Sequence, residues 1–163
     1  IVGLGDCHYD LAVYIANRPA MPEYQTLGAL QALEDGDIAH IVEVTGNHWR
    51  KIFNIYAKLL FLLDEQAQPT WQAYRDYVLL RQGCGHALIF SPFNAPSSSG
   101  QAISIVSGKL HAQALGVFDS AVAVGDDFYI DVERKTIITP YFDYRQLSNR
   151  KLDMLISIIK RGL

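Results

Sequence analysis

Four short, mainly apolar runs constrain the fold of this chain more than any other feature. They cover residues 11–16, 87–90, 103–106 and 136–139, and polar residues, glycine or proline follow each of them. Runs of this length that are apolar at successive positions are typical of strands buried on both faces, as in a parallel sheet. Such a sheet needs helices on both of its faces, so the runs predict an α/β fold.

Helical periodicity between these runs supplies the covering layers. The clearest case is residues 49–63, where apolar side chains recur at i, i+3, i+4 and i+7 behind Gly46 and a predicted N-cap, Asn47. Further helices are predicted over residues 24–33, from Thr70 onward, over 109–115, and from an N-cap at Ser148 to the end of the chain. Residues 121–124 and 128–132 are predicted to form a strand pair or edge elements, and 94–100 a loop. The prediction is one three-layer α/β/α domain over residues 1–163 with a mostly parallel four-strand sheet.

Composition limits the kinds of molecule that the chain can bind and the location in which it is expected. The chain has 163 residues, half of them hydrophobic, and a formal net charge of −3, so tight binding to duplex nucleic acid would need a local basic patch. Two cysteines are too few for a disulfide framework, which favours a cytoplasmic location. The longest apolar run, residues 59–63, is much shorter than a membrane span, so no membrane association is expected. The chain begins at Ile1 rather than at a methionine, so further residues upstream are expected.

The generic ligand-binding motifs are absent. The Gly-Leu-Gly of residues 3–5 lacks the third glycine and the preceding strand of a dinucleotide fingerprint. Residues 107–109, Ser-Gly-Lys, follow a strand but lack the first glycine and the final hydroxyl of a phosphate loop. The pairs Cys7/His8 and Cys84/His86 do not have a standard zinc spacing. We therefore expect no metal and no cofactor.

More specific information comes from five segments in a fixed order. Residues 15–19 are Ile-Ala-Asn-Arg-Pro, 46–51 are Gly-Asn-His-Trp-Arg-Lys, 83–88 are Gly-Cys-Gly-His-Ala-Leu, 107–109 are Ser-Gly-Lys, and 139–145 are Thr-Pro-Tyr-Phe-Asp-Tyr-Arg. In this order the chain resembles the uracil-DNA glycosylase superfamily, most closely its thymine/mismatch-specific branch. The matching motifs of that branch are Gly-Ile-Asn-Pro after the first strand, Gly-Asn-x-Phe-Trp-Lys at a helix start, Gly-Ile-Gly-x-Thr-Asn, Asn-Gly-Lys, and a Pro-Ser-rich loop.

The resemblance implies a uracil-DNA glycosylase-like fold and assigns roles to individual residues. Asn17 would be the catalytic residue, because it would position the water that attacks the cation-like sugar when a base is cleaved from nucleic acid. The substrate-binding residues would be Asn47, His48, His86, Tyr141 and Arg145. In the loop after the last strand, Arg145 or Leu147 would be the wedge that fills the space left by the extruded base. The expected partner is DNA or a nucleobase or nucleotide ligand.

Three positions depart from the family pattern. Arg18 separates Asn17 from Pro19 and adds a cation beside the reacting sugar. Apolar Ala87 and Leu88 stand where the family has the polar Thr-Asn pair that reads the base. Tyr141 stands in a loop that in the family carries an imidazole or hydroxyls.

Each candidate residue also has a structural interpretation. Asn17 is of a type common in turns, Asn47 is a natural N-cap, and His48 and His86 lie beside glycines where partly exposed loop histidines are expected. Arg145 can form a surface ion pair with Asp143. Lys109 lies at a helix start, where the helix dipole disfavours a cation, so its position indicates an anion nearby. Two hypotheses follow: an enzyme that recognises or excises a base in nucleic acid, and a non-catalytic member of the fold that binds a nucleotide-like molecule or a protein. Nothing in the residues specifies an oligomeric state.

Overall fold

An eight-stranded sheet forms the centre of the computed structural model, which describes residues 1–64, 68–93 and 102–162. The predicted loop at residues 94–100 lies outside these ranges. The strands follow the order β3-β1-β4-β2-β5-β8-β7-β6 across the sheet. Their bounds are β1 Gly3–Gly5, β2 Leu11–Tyr14, β3 Leu30–Gln31, β4 His86–Ile89, β5 Ile103–Ser107, β6 Val122–Gly125, β7 Phe128–Asp131 and β8 Thr136–Thr139.

The four apolar runs form the middle of this sheet as β4, β2, β5 and β8, and each neighbouring pair among them is parallel. The predicted four-strand sheet is nevertheless wrong in extent, because four more strands extend it and make it mixed. β1 pairs antiparallel with β4 and parallel with β3, while β7 pairs antiparallel with β8 and with β6. The α/β class is confirmed, and the predicted strand pair at residues 121–132 is the β6–β7 hairpin.

β1 escaped prediction because two of its three residues are glycines, which have low strand propensity. Their presence is explained by the close approach of β4. A Cβ atom on Gly3 would lie 2.2 Å from the carbonyl oxygen of Leu88, and one on Gly5 would lie 2.6 Å from that of His86. Only glycine lets these two backbones pair at this distance.

The helices are α1 Pro22–Gln25, α2 Asp37–Thr45, α3 Asn47–Leu63, α4 Trp71–Tyr77, α5 Lys109–Ala114 and α6 Asn149–Arg161. The predicted N-cap Ser148 is confirmed, and Thr70, where a helix is predicted to open, is the N-cap of α4. Each of these side chains accepts a backbone N–H from the first turn. The helix predicted over residues 24–33 is wrong, because α1 ends at Gln25 and β3 lies within the same stretch. Asn47 is not an N-cap either. That position belongs to Gly46, with φ 90°, which joins α2 directly to α3, and Asn47 is the first helical residue.

Apolar side chains pack on both faces of the sheet. On one face Val13, Ile105 and Ile137 contact residues of α3, α4 and α6, and on the other Ala12, Val106 and Ile138 contact Ala112 of α5. Successive residues of a strand point to opposite faces, so these strands carry apolar side chains on both faces. Among the described residues, no helix combines the length and the hydropathy needed to cross a membrane.

Strand order identifies the edge of the sheet where a ligand is expected. β2 comes first among the parallel strands, β4 lies on one side of it, and β5 and β8 lie on the other. The connections after β2 and β5 therefore run in opposite directions and leave a crevice beyond their carboxyl ends, where open α/β sheets bind ligands. Residues 15–19, 107–109 and 139–145 all follow strands that end at this edge.

Candidate functional site

Three of the predicted site residues meet at the carboxyl edge of the parallel strands. Tyr141, which follows β8, places its hydroxyl 2.7 Å from Nε2 of His48 in the first turn of α3. The side chain of Asn17, which follows β2, lies beside the Tyr141 phenol and has a lowering influence on its pKa. The rings of His48 and Tyr141 are stacked with their centroids 5.8 Å apart. We call Asn17, His48 and Tyr141 the strand-end cluster.

The surrounding fold sets the orientation of these side chains. Trp49 is buried against the sheet, so the preceding residue, His48, lies on the exposed side of α3. Tyr141 is placed by its neighbour Phe142, which is fully buried and whose backbone N–H donates to Oγ of Ser107 at 3.1 Å. Gly108, with φ 95°, leaves space for the Tyr141 ring, which lies 3.5 Å from where a Cβ would be.

The chemistry of the strand-end cluster is that of neutral hydrogen-bonding groups. An amide, a phenol and an imidazole together offer both donors and acceptors, and none of the three is a carboxylate. Burial raises the pKa of Tyr141, while the neighbouring polar side chain of Asn17 acts in the opposite direction. The phenol is therefore a neutral group at physiological pH. Such a set suits a neutral ligand edge that carries carbonyl and N–H groups.

Asp143 organises the rest of the loop after β8. Its carboxylate accepts from Nε and Nη2 of Arg145 and from the Arg145 backbone N–H, and Nζ of Lys51 lies 3.6 Å away. The hydrogen bonds from Arg145, together with the charge of Lys51, lower the pKa of Asp143 to about 2. The surface ion pair expected for Arg145 is therefore present, and its guanidinium remains largely exposed. Leu147 is fully buried, so the expectation that it is a wedge is wrong.

A cavity of about 410 Å³ adjoins the strand-end cluster between α5, the β6–β7 turn and the first turn of α6. Tyr141 belongs to both, since its ring lines this cavity. Three cations, Lys109, Arg145 and Lys151, and one carboxylate, Asp127, also line it. We call it the Lys109 cavity. Sequence reasoning noted Lys109 and Arg145 but missed Lys151, because no local pattern links the first turn of α6 to the other two.

Asn47 and Arg18 lie near the strand-end cluster in structural roles. Asn47 is exposed, and its Oδ1 accepts from Nε of Arg50 at 3.2 Å. Arg18 donates through Nη1 to the carbonyls of Tyr24, Gln25 and Leu27, each at 3.1 Å. The guanidinium expected beside the reacting group is thus bound to the end of α1.

His86 does not join the other predicted residues. It begins β4, at the amino edge of the parallel strands, and only 2% of its surface is exposed. Its Nε2 accepts from the backbone N–H of Leu80 at 3.0 Å, and burial lowers the pKa of His86 to about 4. The partly exposed loop position expected for His86 is therefore wrong.

The two Cys/His pairs lie at this amino edge but remain separate. Cys7 Sγ lies 3.3 Å from Nδ1 of His8, and within the described ranges both can share a metal only with Asp6, whose carboxylate already accepts from the backbone N–H groups of His8 and Gly85. The Sγ of Cys84 instead lies 3.3 Å from the carbonyl of His86. The interpretation of residues 83–86 as part of a ligand site thus finds no geometric link to the strand-end cluster.

Comparison with known proteins gives one match. A family model described as "Family of unknown function (DUF6942)" matches residues 2–160. The chain therefore belongs to this family. No curated protein and no solved structure matches the chain.

Proposed function

We propose that this family member binds a nucleobase at the strand-end cluster and hydrolyses the N-glycosidic bond that joins the base to its sugar in nucleic acid. In this proposal the protein is a divergent relative of the uracil-DNA glycosylases that works without a cofactor. The proposal rests on the proximity of Asn17, His48 and Tyr141 in the structure, since these residues are far apart in the sequence.

The position of the cluster also supports the proposal. The strands that carry the family-like segments are β2, β4, β5 and β8, which are the four that pair in parallel. Asn17 and Tyr141 follow two of them at the edge where open α/β sheets bind ligands. The sequence resemblance and the strand order thus point to the same edge.

The groups in the cluster suit the proposed reaction. Loss of a base leaves a cation-like sugar, and an amide can orient a water toward it without acting as a strong base. The Tyr141 hydroxyl and the His48 imidazole supply hydrogen bonds for the carbonyl and N–H groups of a base. Because Nη1 of Arg18 is bound by three backbone carbonyls, this cation is held at α1. This arrangement favours slow, water-positioning chemistry.

The test is base release by the full chain from single- and double-stranded oligonucleotides that contain uracil, mismatched thymine or hypoxanthine. We expect Asn17→Ala to lower the rate roughly a hundredfold, the usual effect of losing one positioned polar group. Asn17→Asp supplies a carboxylate and is expected to raise the rate. Gln82→Ala removes an exposed amide at the amino edge and is the matched control. No release by the unmodified chain from any of these substrates would overturn the hydrolytic proposal.

A specific observation favours the second candidate function, non-catalytic binding of a nucleotide-like molecule. Ala87 and Leu88, which align with the family's base-reading pair, are both fully buried in β4. Binding of the oligonucleotides, measured by fluorescence anisotropy, without release of a base would identify this function. We propose a cytoplasmic location for either function, in keeping with the two cysteines, which are both free.

A further inference from the structure

The Lys109 cavity differs in charge from the chain as a whole. The chain has a formal net charge of −3, whereas three cations and one carboxylate line this cavity. Asp127 is bound to Lys151, with Nζ and the carboxylate oxygen 3.2 Å apart. Arg145 is paired with Asp143, which Lys51 also approaches, so the uncompensated positive charge of the cavity comes mainly from Lys109. Lys109 and Arg145 lie in the connections after β5 and β8.

Lys109 is the cation with the least compensation. Its Nζ lies over the rings of Phe118 and Tyr129, 5.0 and 5.6 Å from their centroids. No carboxylate in the described part of the chain lies within ion-pair distance of it. Ring faces attract an ammonium group but do not neutralise its charge. The ammonium is thus held at one place in the cavity wall, with its charge available to an anion.

The cavity and the strand-end cluster share Tyr141. The hydroxyl of this residue lies 2.7 Å from Nε2 of His48, with Asn17 beside it, while its ring lines the cavity. A ligand with a neutral hydrogen-bonding part and an anionic part can therefore place one part on each side of the same side chain. Nucleotides have this composition.

We propose that the Lys109 cavity is a phosphate-binding subsite, in which Lys109 and Arg145 hold a phosphate of the ligand whose base lies at the strand-end cluster. This proposal rests on the proposed function for the base, although the phosphate is bound by different residues. A lysine ammonium and an arginine guanidinium are the usual partners of phosphate oxygens. The phosphate belongs to a free nucleotide or to a nucleic-acid backbone, and the chemistry of recognition is the same.

The test compares four probes with the full chain at low salt: inorganic phosphate, uridine, uridine 5′-monophosphate and a single-stranded uracil-containing oligonucleotide. The variants are Lys109→Gln, which removes the charge from an exposed side chain, and Arg145→Gln. Lys160→Gln, an exposed lysine in the last turn of α6, is the control. Amide chemical shifts of Gly108 and residue 109 report inorganic phosphate directly, and calorimetry gives the affinities of the other probes.

We expect the monophosphate to bind roughly tenfold more tightly than uridine, as one charge-assisted contact provides, and Lys109→Gln to remove most of this difference. For the oligonucleotide we expect the same variant to lower the slope of log affinity against log salt by about 0.7. A Lys109 effect on the monophosphate indicates a nucleotide, and an effect on the oligonucleotide alone indicates a backbone phosphate.

Failure of the two proposals can be distinguished. In one outcome uridine binds and Asn17→Ala weakens its binding, but neither Lys109→Gln nor Arg145→Gln changes the affinity of the two phosphorylated probes. The proposed phosphate subsite is then wrong and the proposed base site stands. If inorganic phosphate shifts the Gly108 amide in the unmodified chain and not in Lys109→Gln, the subsite stands even where uridine fails to bind. Equal effects of Lys109→Gln and Lys160→Gln would show attraction to general surface charge and overturn the subsite.

Discussion

His86 provides the sharpest test of how this fold uses a histidine, because it is buried at the amino edge of the sheet rather than placed in the candidate site. The rings of Tyr56 and Tyr74 lie 5.5 and 6.1 Å from its ring, and its Nε2 accepts from the backbone N–H of Leu80. An accepting Nε2 must be unprotonated, so the fold requires the neutral imidazole. The perturbation is therefore the proton itself, added by lowering the pH.

The size of the effect follows from the pKa. Burial lowers the pKa of His86 from 6.5 to about 4. Above pH 6.5 the histidine is neutral in both the folded and the unfolded chain, so its contribution to stability is fully present. Between pH 6.5 and 4 the unfolded chain takes up a proton that the folded chain does not, and the free energy of unfolding falls by up to about 1.4 kcal/mol per pH unit. The loss approaches about 3 kcal/mol at pH 4 and then levels off.

The measurement is urea unfolding at a series of pH values between 8 and 4.5. We expect His86→Gln to be less stable than the unmodified chain at pH 8 by about 1–3 kcal/mol, because Leu80 loses its acceptor, and the difference to shrink as the pH falls. His40→Gln, at an exposed histidine of α2, is the control. The pKa of His111 is also lowered by burial, but this residue is present in all the variants and cancels in the comparison. Parallel stability curves for the unmodified chain and His86→Gln would refute the reasoning.

Three further predictions concern stability. Gly3→Ala places a Cβ 2.2 Å from the Leu88 carbonyl oxygen and should lower the free energy of unfolding by about 3 kcal/mol or more. Gly28→Ala, at a glycine with open space around it, is the control and should change this free energy by less than about 0.5 kcal/mol. Equal effects in urea unfolding would contradict the close approach of β1 and β4. Tyr56→Phe removes a buried hydroxyl that donates to a strand carbonyl at 2.8 Å and should destabilise the fold by about 1–2 kcal/mol; an unchanged midpoint in denaturant would show that this bond contributes nothing. Asp143→Asn should lower the free energy of unfolding at pH 7 by only about 1 kcal/mol, because its partner Arg145 is exposed and the ion pair is screened by solvent. The pKa of Asp143 is about 2, so the difference should disappear as the pH falls from 4 to 2 and the carboxyl takes up a proton. A difference that persists at pH 2 would rule out the ion pair as its source.

The sequence was sufficient to predict the central strands because their signal is local. Residues 87–90 are apolar at every position and 103–106 at every position except Ser104, and the observed strands His86–Ile89 and Ile103–Ser107 lie within one residue of them. The flanking strands were harder to predict. β1 consists of Gly-Leu-Gly, and its place in the sheet depends on a backbone approach by β4 that no local pattern encodes.

The candidate site was predictable in part, for the same reason. Asn17, His48 and Tyr141 were named from family-like segments, and the strand order brings these three together. His86 was misplaced because a histidine beside a glycine has the same local pattern at either end of a parallel strand. Lys151 was missed because it reaches the Lys109 cavity only through the docking of α6 beside the β6–β7 turn.

The position of β2 in the sheet also affects how easily the chain aggregates during its synthesis. Leu11 pairs with His86 on one side and with Ile103 on the other, so the strand has no neighbour until about half of the chain has been synthesised. At about 5–20 residues per second the interval between β2 and β4 lasts roughly 4 to 15 s. During that time a fully apolar strand has both edges open to other chains. The nascent chain, rather than the finished fold, is therefore the stage at which this protein depends most on protection from aggregation.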